Sequence, residues 1–481
     1  METVKRWIAD WKFPTTVLCV YGFFSTVKPM EPFLYLYMNG PDKNLTEAQI
    51  NNEVFPLWTY CYLVLLVPVF LLTDWLRYKP VVVCQSLSLF TTTALLRWAY
   101  GVPGMQSTQV FYALVTSCEV AYFSYIYSMI DLKRYRKATS YCRSVQLLGY
   151  TTGSLLGQLL TSFELMSYNN MMVLTLVLTS IAVLTSFFLP MPQHSMFFHH
   201  KHTAQKAARD VGEHEYGTGD ATEQASGSAV SAGNRLAIKR PEVQELEVGK
   251  ESCGKVLLRL LRDFRECYSS RQLLYWSVWW AMATCGYNQT VNYVQILWEH
   301  VEPQNFSSYN GVVEAASNLF GAATAYGIGF TEVRWDQWGE LALGGFSGLG
   351  GATLFLMTFI DNIFVCYVTY VIFKCLYMLL ITIAMFQIAV DLSMERYALV
   401  FGANNFGALA LQTILTAVVV DKRGLGLDIL SQFTIYASYF SAIAVVFLLR
   451  GLYTISKIHR NKKGSTPPVE NEPPDFGEHR F

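Results

Sequence analysis

The chain has 481 residues, of which 52% are hydrophobic, 15% aromatic and only 15% charged. Soluble globular proteins carry about 25% charged residues, so this composition excludes an ordinary soluble domain and describes a membrane chain. Basic and acidic residues balance at 36 each, which argues against a nucleic-acid partner.

The start, METVKRWIADWKFPTT, is charged and runs into a full-length apolar span without a small-residue cleavage site. It reads as a cytosolic tail, not a signal peptide. Apolar runs of roughly 20 residues then predict twelve spans. They cover 14–37, 54–73, 79–100, 106–130, 139–164 and 170–190, then 273–299, 309–330, 337–360, 362–390, 396–420 and 428–455. Between the sets lies a polar insert at 193–270 containing EHEYGTGDATEQASGSAVSAGN, which cannot bury a core and is expected to be a disordered linker. The tail after 455 is polar and proline-rich, and is expected to be disordered too. The organisation is therefore a tail at 1–13, a six-helix bundle at 14–192, the linker at 193–270, a second bundle at 271–455 and a tail at 456–481.

Basic residues in short loops set the orientation. With the N-terminus inside, the cytosolic loops hold Arg77, Lys79, Lys133, Arg134, Arg136, Lys137, Arg143, Arg334 and Arg396. The external side holds Lys43, Arg97, Lys422 and Arg423. The sequons at Asn44 and Asn305 fall in external loops and are expected to be glycosylated; the one at Asn288 lies inside a span. An even span count places both termini in the cytosol.

Three glutamates, Glu31, Glu119 and Glu314, lie inside these apolar runs. An ionised carboxylate at mid-bilayer costs about 2.5–3.5 kcal/mol even on lenient insertion scales, so each should face a protein interior or a wet cavity and have a use. In the first span, GFFSTVKPMEPFLYLY brackets Glu31 with Pro29 and Pro32, which break the helical ladder and free backbone groups for a cavity. Lys28 stands three residues earlier, so Glu31 serves either a ligand or that lysine. Phe55 and Trp58, at the external end of the second span, serve either as interface anchors or as ligand stackers. TDWLRYKP, between the second and third spans, is a charged turn that reads as a gate or scaffold element.

Gln109, Tyr112, Glu119 and Tyr122 share one stripe of the fourth span. Aromatics at Tyr112, Tyr122, Phe123 and Tyr125 surround Glu119, the lining expected for a flat cation. A carboxylate neutralised by a neighbouring helix is the plainer alternative. Gly149, Gly153 and Gly157 form two GxxxG steps in the fifth span, and Gly344, Gly345, Gly348, Gly350 and Gly351 crowd the ninth; such ladders bring backbones close. Asn292 is helix–helix glue or a ligand contact, and Glu314 sits about five residues into its helix. Lys374 is a counter-ion or a gate element. None of the eight histidines lies in a predicted span, so any proton coupling falls to a glutamate. Most of the ten cysteines sit in apolar runs without paired spacing, so no disulfide framework, metal or other cofactor is expected. No nucleotide-binding loop or nucleophile–base set points to an enzyme.

At these residues the chain resembles a known family. GFFSTVKPMEPFL, GPDKNLT, WTYCYLVLLVPVFLLTDWLRYKP, EVAYFSYIYS, YCRSVQLLGYTTGS, LPMPQHSMFFH, NYVQILW and MERYALVFG are similar to the vitamin transporters of solute carrier family 19, over about residues 11–455. The resemblance implies an all-α membrane protein of the major facilitator superfamily, with 12 transmembrane helices in two six-helix halves. It is strongest toward the thiamine transporters. The folate carriers have arginine at the place of Glu119 and lysine at that of Gln412, as suits an anion. The resemblance implies a thiamine site at Glu31, Phe55, Trp58, Tyr112, Tyr150, Asn292 and Glu314, joined by Gln109 and Glu119. At Gln109 the thiamine transporters carry glutamate; a glutamine keeps the hydrogen bonds to the aminopyrimidine but loses their charge-assisted part. Also expected are a plasma-membrane monomer, alternating access and either proton exchange or facilitated diffusion. A folate or other organic-anion carrier, or a vitamin-binding receptor without transport, remains the alternative.

Overall fold

The computed structural model describes residues 12–129, 132–192, 253–303, 309–328, 335–389, 392 and 394–464. Among them all regular structure is helical. The first predicted span is two helices, α1 (Lys12–Thr26) and α2 (Leu34–Asn39), separated by a break and a 3-10 turn at Glu31–Phe33. Proline explains the break, because Pro29 and Pro32 lack the N–H that a continuing helix needs. The second span opens with a capping box, in which Thr46 Oγ1 accepts from the Gln49 amide and Gln49 Oε1 accepts from the Thr46 amide. It passes through a π-helical stretch at Ile50–Val54 into α3 (Phe55–Trp75). There follow α4 (Lys79–Trp98), α5 (Gly101–Met129), α6 (Leu132–Ser162) and α7 (Tyr168–Phe187).

Residues 253–267, which the sequence reading left in the structureless linker, instead form a helix, α8 (Cys253–Cys267). Leucines recurring every three to four residues among arginines supply the amphipathic period that makes it one. Residues 193–252 lie outside the described residues. The second half comprises α9 (Arg271–Val301), α10 (Asn310–Ile328), α11 (Trp335–Phe359), α12 (Ile363–Ala389), α13 (Met394–Leu415) and α14 (Ile429–Gly464). α13 ends in a π-helical turn at Thr416–Val420, and α14 runs nine residues past its expected end at 455.

Among the described residues, seven helices are long and apolar enough to cross a membrane. The other five predicted spans, 14–37, 106–130, 139–164, 273–299 and 309–330, coincide with α1–α2, α5, α6, α9 and α10. In α1–α2 the break leaves neither piece long enough to cross by itself, while α5, α6, α9 and α10 bury polar residues such as Gln109, Gln158, Gln289 and Ser317.

Each half packs mainly on itself: α1 on α6 and α7, α5 on α3 and α4, α14 on α11, α12 on α10 and α11. The halves meet where α6 lies on α10 and α3 lies on α13, so the second and fifth helices of each half exchange partners. That is the pairing expected of two parallel repeats.

The glycine ladder of α6 explains how a broken helix is held in place. A Cβ on Gly149 would collide with Thr26, one on Gly153 with the Lys28 backbone, and one on Gly157 with the Pro29 carbonyl. α6 thus lies directly against the break. On the other side Met30, Phe33 and Tyr37 are buried against Met171 and Met172 of α7. The turn 76–78 is pinned as well: Tyr78, with φ +65°, donates from its hydroxyl to Asp74 at 2.6 Å, and Lys79 Nζ donates to the Phe187 carbonyl at 3.1 Å. This makes TDWLRYKP a tie between helices.

Candidate functional site

A cavity of about 460 Å³ lies between the halves, within the roughly 300–1,000 Å³ usual for small-molecule sites. Its fixed charges are two lysines and two glutamates, Lys28, Glu31, Glu314 and Lys374. They form two ion pairs, one from each half.

On the first wall, Lys28 Nζ lies 2.8 Å from Glu31 Oε1, a pair created by the turn that Pro29 and Pro32 impose. The Tyr112 hydroxyl stands 3.4 Å from the same oxygen, and the ammonium faces the rings of Tyr112 and Tyr150 at 5.4 and 5.8 Å. Lys28 is mostly covered, at 13% side-chain exposure, while Glu31 is 41% exposed to the cavity. Its second oxygen takes no partner among the described residues. The backbone freed by the break is served from the opposite half: Gln295 Nε2 donates to the Glu31 carbonyl at 3.1 Å, and Gln295 Oε1 accepts from the Tyr35 amide at 3.3 Å.

On the second wall both Glu314 oxygens are occupied. Tyr370 donates to Oε1 at 2.7 Å, and Lys374 Nζ lies 2.9 Å from Oε2 and 3.1 Å from Asn318 Oδ1. Glu314 and Asn318 are one turn apart on α10, as are Tyr370 and Lys374 on α12, so the two i,i+4 pairs interlock.

Between the ion pairs the lining is aromatic and neutral. Trp58, held by its indole N–H on Thr116 at 3.2 Å, lies 6.4 Å from the Tyr112 ring. Phe55 packs near Tyr293, and Tyr287 stacks on Tyr377 with centroids 3.8 Å apart. Asn292 and Gln109 complete the wall. Gln109 is only 7% exposed, yet its amide has no hydrogen-bond partner among the described residues. Its amide atoms are not among the fully covered ones that go without a partner, so they open on the cavity, where a ligand can bond them.

The structure therefore brings together Glu31, Phe55, Trp58, Gln109, Tyr112, Tyr150, Asn292, Glu314, Lys28 and Lys374. Glu119 is not among the cavity-lining residues. It sits seven residues past Tyr112, about 10 Å along the axis, where the fields of Lys28 and Arg143 reach it. Tyr122 and Tyr125 are also spent elsewhere: Tyr122 is buried against Tyr21, and Tyr125 donates to the Pro190 carbonyl at 2.7 Å. The side chain of Phe123 lies outside the described ones. Asn44 is exposed in its turn, Asn305 lies outside the described residues, and Asn288 is internal, donating to Gln412 at 3.1 Å. Sequence reasoning missed Gln295, Asn318, Tyr287 and Tyr370. The first two repeat the polar stripes begun by Asn292 and Glu314, a signal that extending each stripe by one turn would have found.

One end of the cavity is sealed. Tyr60 donates to Asp421 at 2.6 Å, Lys422 pairs with Glu53 at 3.0 Å, and the Lys422 amide donates to the Asn52 carbonyl at 3.3 Å. Gln158 Oε1 accepts from the Gly311 amide at 2.9 Å on the opposite flank.

Two helical halves around a charge-compensated central cavity, closed at one end, make up the major facilitator fold. Solved structures agree. A POT family transporter in complex with 5-aminolevulinic acid matches with a TM-score of 0.61, at 11% identity, over 92% of this chain and 96% of its own. The nucleoside transporter NupG matches at 0.57 and 11% identity, over 92% and 99%. The reduced folate carrier family model matches residues 9–435, and the chain belongs to that family. Among curated relatives, human thiamine transporter 1 is 51% identical over 93% of this chain and 91% of its own length. Human thiamine transporter 2 is 48% identical over 97% and 95%, and the human reduced folate transporter 36% over 96% and 76%.

Proposed function

We propose that the chain carries thiamine across the plasma membrane by alternating access. The half-free carboxylate of Glu31, set among Trp58, Tyr112 and Tyr150, carries the reading: it offers negative charge to a flat cation without leaving Lys28 unpaired. The aminopyrimidine stacks on the aromatic wall and takes hydrogen bonds from Gln109 and Asn292. Phe55 closes the stack, and Glu314 with Lys374 holds the opposite wall. Glu119 acts at a distance, through the field it shares with Lys28. The similarity to both thiamine transporters supports the same substrate.

In this reading the sealed end faces outward, both termini are cytosolic, the halves span 14–192 and 271–455, and the protein works as a monomer. Asn44 and Asn305 are glycosylated on the outside. Any proton coupling falls to an intramembrane glutamate. Uptake of radiolabelled thiamine by the full chain, challenged with unlabelled thiamine and reduced folate, tests the proposal. Time-dependent accumulation blocked by thiamine is expected. Folate uptake indifferent to thiamine would replace it with an anion carrier, and saturable binding without accumulation would replace it with a receptor.

A further inference from the structure

The amphipathic helix α8 has no part in the cavity, and its faces are unevenly used. At 100° per residue, Leu260 and Cys267 lie together on one edge of its apolar arc, and both are buried where α8 packs on α13. The acidic residues turn the same way. Arg396, near the start of α13, pairs with Glu266 at 2.6 Å and with Asp263 at 3.4 Å. Tyr268, just past the helix, donates to Asn404 of α13 at 2.6 Å.

The other edge is uncovered except where the Phe264 ring meets Tyr268, 4.5 Å between centroids. Leu258, Leu261 and Phe264 are 68, 57 and 41% exposed. Arg262 and Arg265 stand beside this ridge, exposed and without an acidic partner among the described residues. Position along the bundle decides what meets it. Arg396 lies three residues, about one helical turn, before the apolar span Leu399–Val420. α8 is therefore held at the depth where hydrocarbon gives way to headgroups. An exposed leucine–phenylalanine ridge flanked by arginines, at that depth, has the pattern of a helix lying in the interface of an anionic leaflet.

We propose that the outer face of α8 is a lipid-docking surface, with Leu258, Leu261 and Phe264 seated among acyl chains and Arg262 and Arg265 on anionic phospholipid headgroups. Arg396 is what permits it, because it turns the two carboxylates of the helix away from the membrane. Through Arg396 and Tyr268 the lipid contact is coupled to α13, a helix at the junction of the halves.

The test uses the full-length protein in nanodiscs of phosphatidylcholine alone and of phosphatidylcholine with phosphatidylserine, with hydrogen exchange read over 253–267. Each arginine near an anionic surface is worth about fivefold in association. Wild type should gain protection in the phosphatidylserine discs, and the R262Q/R265Q double variant should lose about 25-fold of that gain. The R262K/R265K variant should keep it. If the glutamine variant only lost helix α8, its exchange would already rise in phosphatidylcholine, whereas the proposal requires no change there. Protection indifferent to lipid charge overturns the proposal. So does protection that grows with the number of copies per disc, which would make the face a contact between copies of this chain.

Discussion

The two ion pairs face each other across one cavity, yet they are built for different work. Lys28 and Glu31 come from a single broken segment, three residues apart, with one carboxylate oxygen open to the cavity. Lys374 and Glu314 come from α12 and α10, and both oxygens of Glu314 are bonded, to Tyr370 and to Lys374. The first pair is a charge offered with a spare valence. The second is a brace that fixes two helices. On the proposed function, the glutamate with a spare oxygen faces the ligand and the one with both oxygens bonded serves as the brace.

The largest effect should follow from breaking the open pair. Glu31→Gln strips the mostly covered Lys28 of its counter-charge and removes the charge offered to the ligand; a hydrogen bond to a charged group is worth about 1.5–3 kcal/mol, so thiamine uptake should fall by roughly 10- to 100-fold. Adding Lys28→Met removes the stranded ammonium. The double variant should therefore regain thermal stability in detergent while uptake stays lost. Recovery of uptake in the double variant would show that the pair is a brace like its counterpart.

The closed pair should respond in the opposite pattern. Lys374→Met alone strands Glu314 and should lower stability by about 3–5 kcal/mol, seen as a reduced unfolding temperature. Lys374→Met with Glu314→Gln removes both charges, and the stability should return close to wild type, because replacing a whole buried pair is often neutral. Uptake by that double variant should remain within about threefold of wild type. Loss of uptake at restored stability would promote Glu314 to a ligand contact.

The same contrast marks what could be read from the sequence. The Lys28–Glu31 pair and the broken first span were legible, because prolines and i,i+3 spacing act within one segment. Lys374 was legible as a counter-ion, but not which acid it serves, since Glu314 lies 60 residues away and only the packing of α10 on α12 brings them together. The glycine ladder announced close approach but not that the approach was to the break at Thr26–Pro29. Glu119 shares the stripe of Gln109 and Tyr112 but does not line the cavity, because periodicity places residues on a stripe without saying how far along it the cavity extends. α8 was overlooked because its net polarity resembles a linker, although its apolar period is plain in LLRLLRDFREC. Of the twelve predicted spans, seven match helices long and apolar enough among the described residues; the first is broken into two short helices, and the other four bury polar residues.

A smaller effect is expected where the lining is neutral. Gln109 presents its amide to the cavity, and Gln109→Glu would exchange it for a carboxylate. Hydrogen bonds to a charged group are worth about 1 kcal/mol more than neutral ones, so thiamine affinity should tighten roughly five- to tenfold. A charged aminopyrimidine analogue should gain more than an uncharged one. Equal gains would mean that position 109 acts by shape and not by charge.

The seal offers the gentlest test, because it lies outside the cavity and touches no ligand. Tyr60 and Asp421 join α3 to the loop after α13, and the bond is short, at 2.6 Å, but only one of several. Tyr60→Phe deletes a hydroxyl without changing the ring, so the closed state should lose about 1 kcal/mol relative to the open one. That is about a fivefold rise in the population opened at this end. Spin labels at Ala48 and Leu425, both exposed and on opposite sides of the seal, would report it as growth of the longer-distance component. Uptake should change by less than the population does, since a carrier must both open and close. If the distances stay unchanged, Lys422 with Glu53 and the Lys422 amide on Asn52 hold the end without Tyr60, and the latch is the loop backbone.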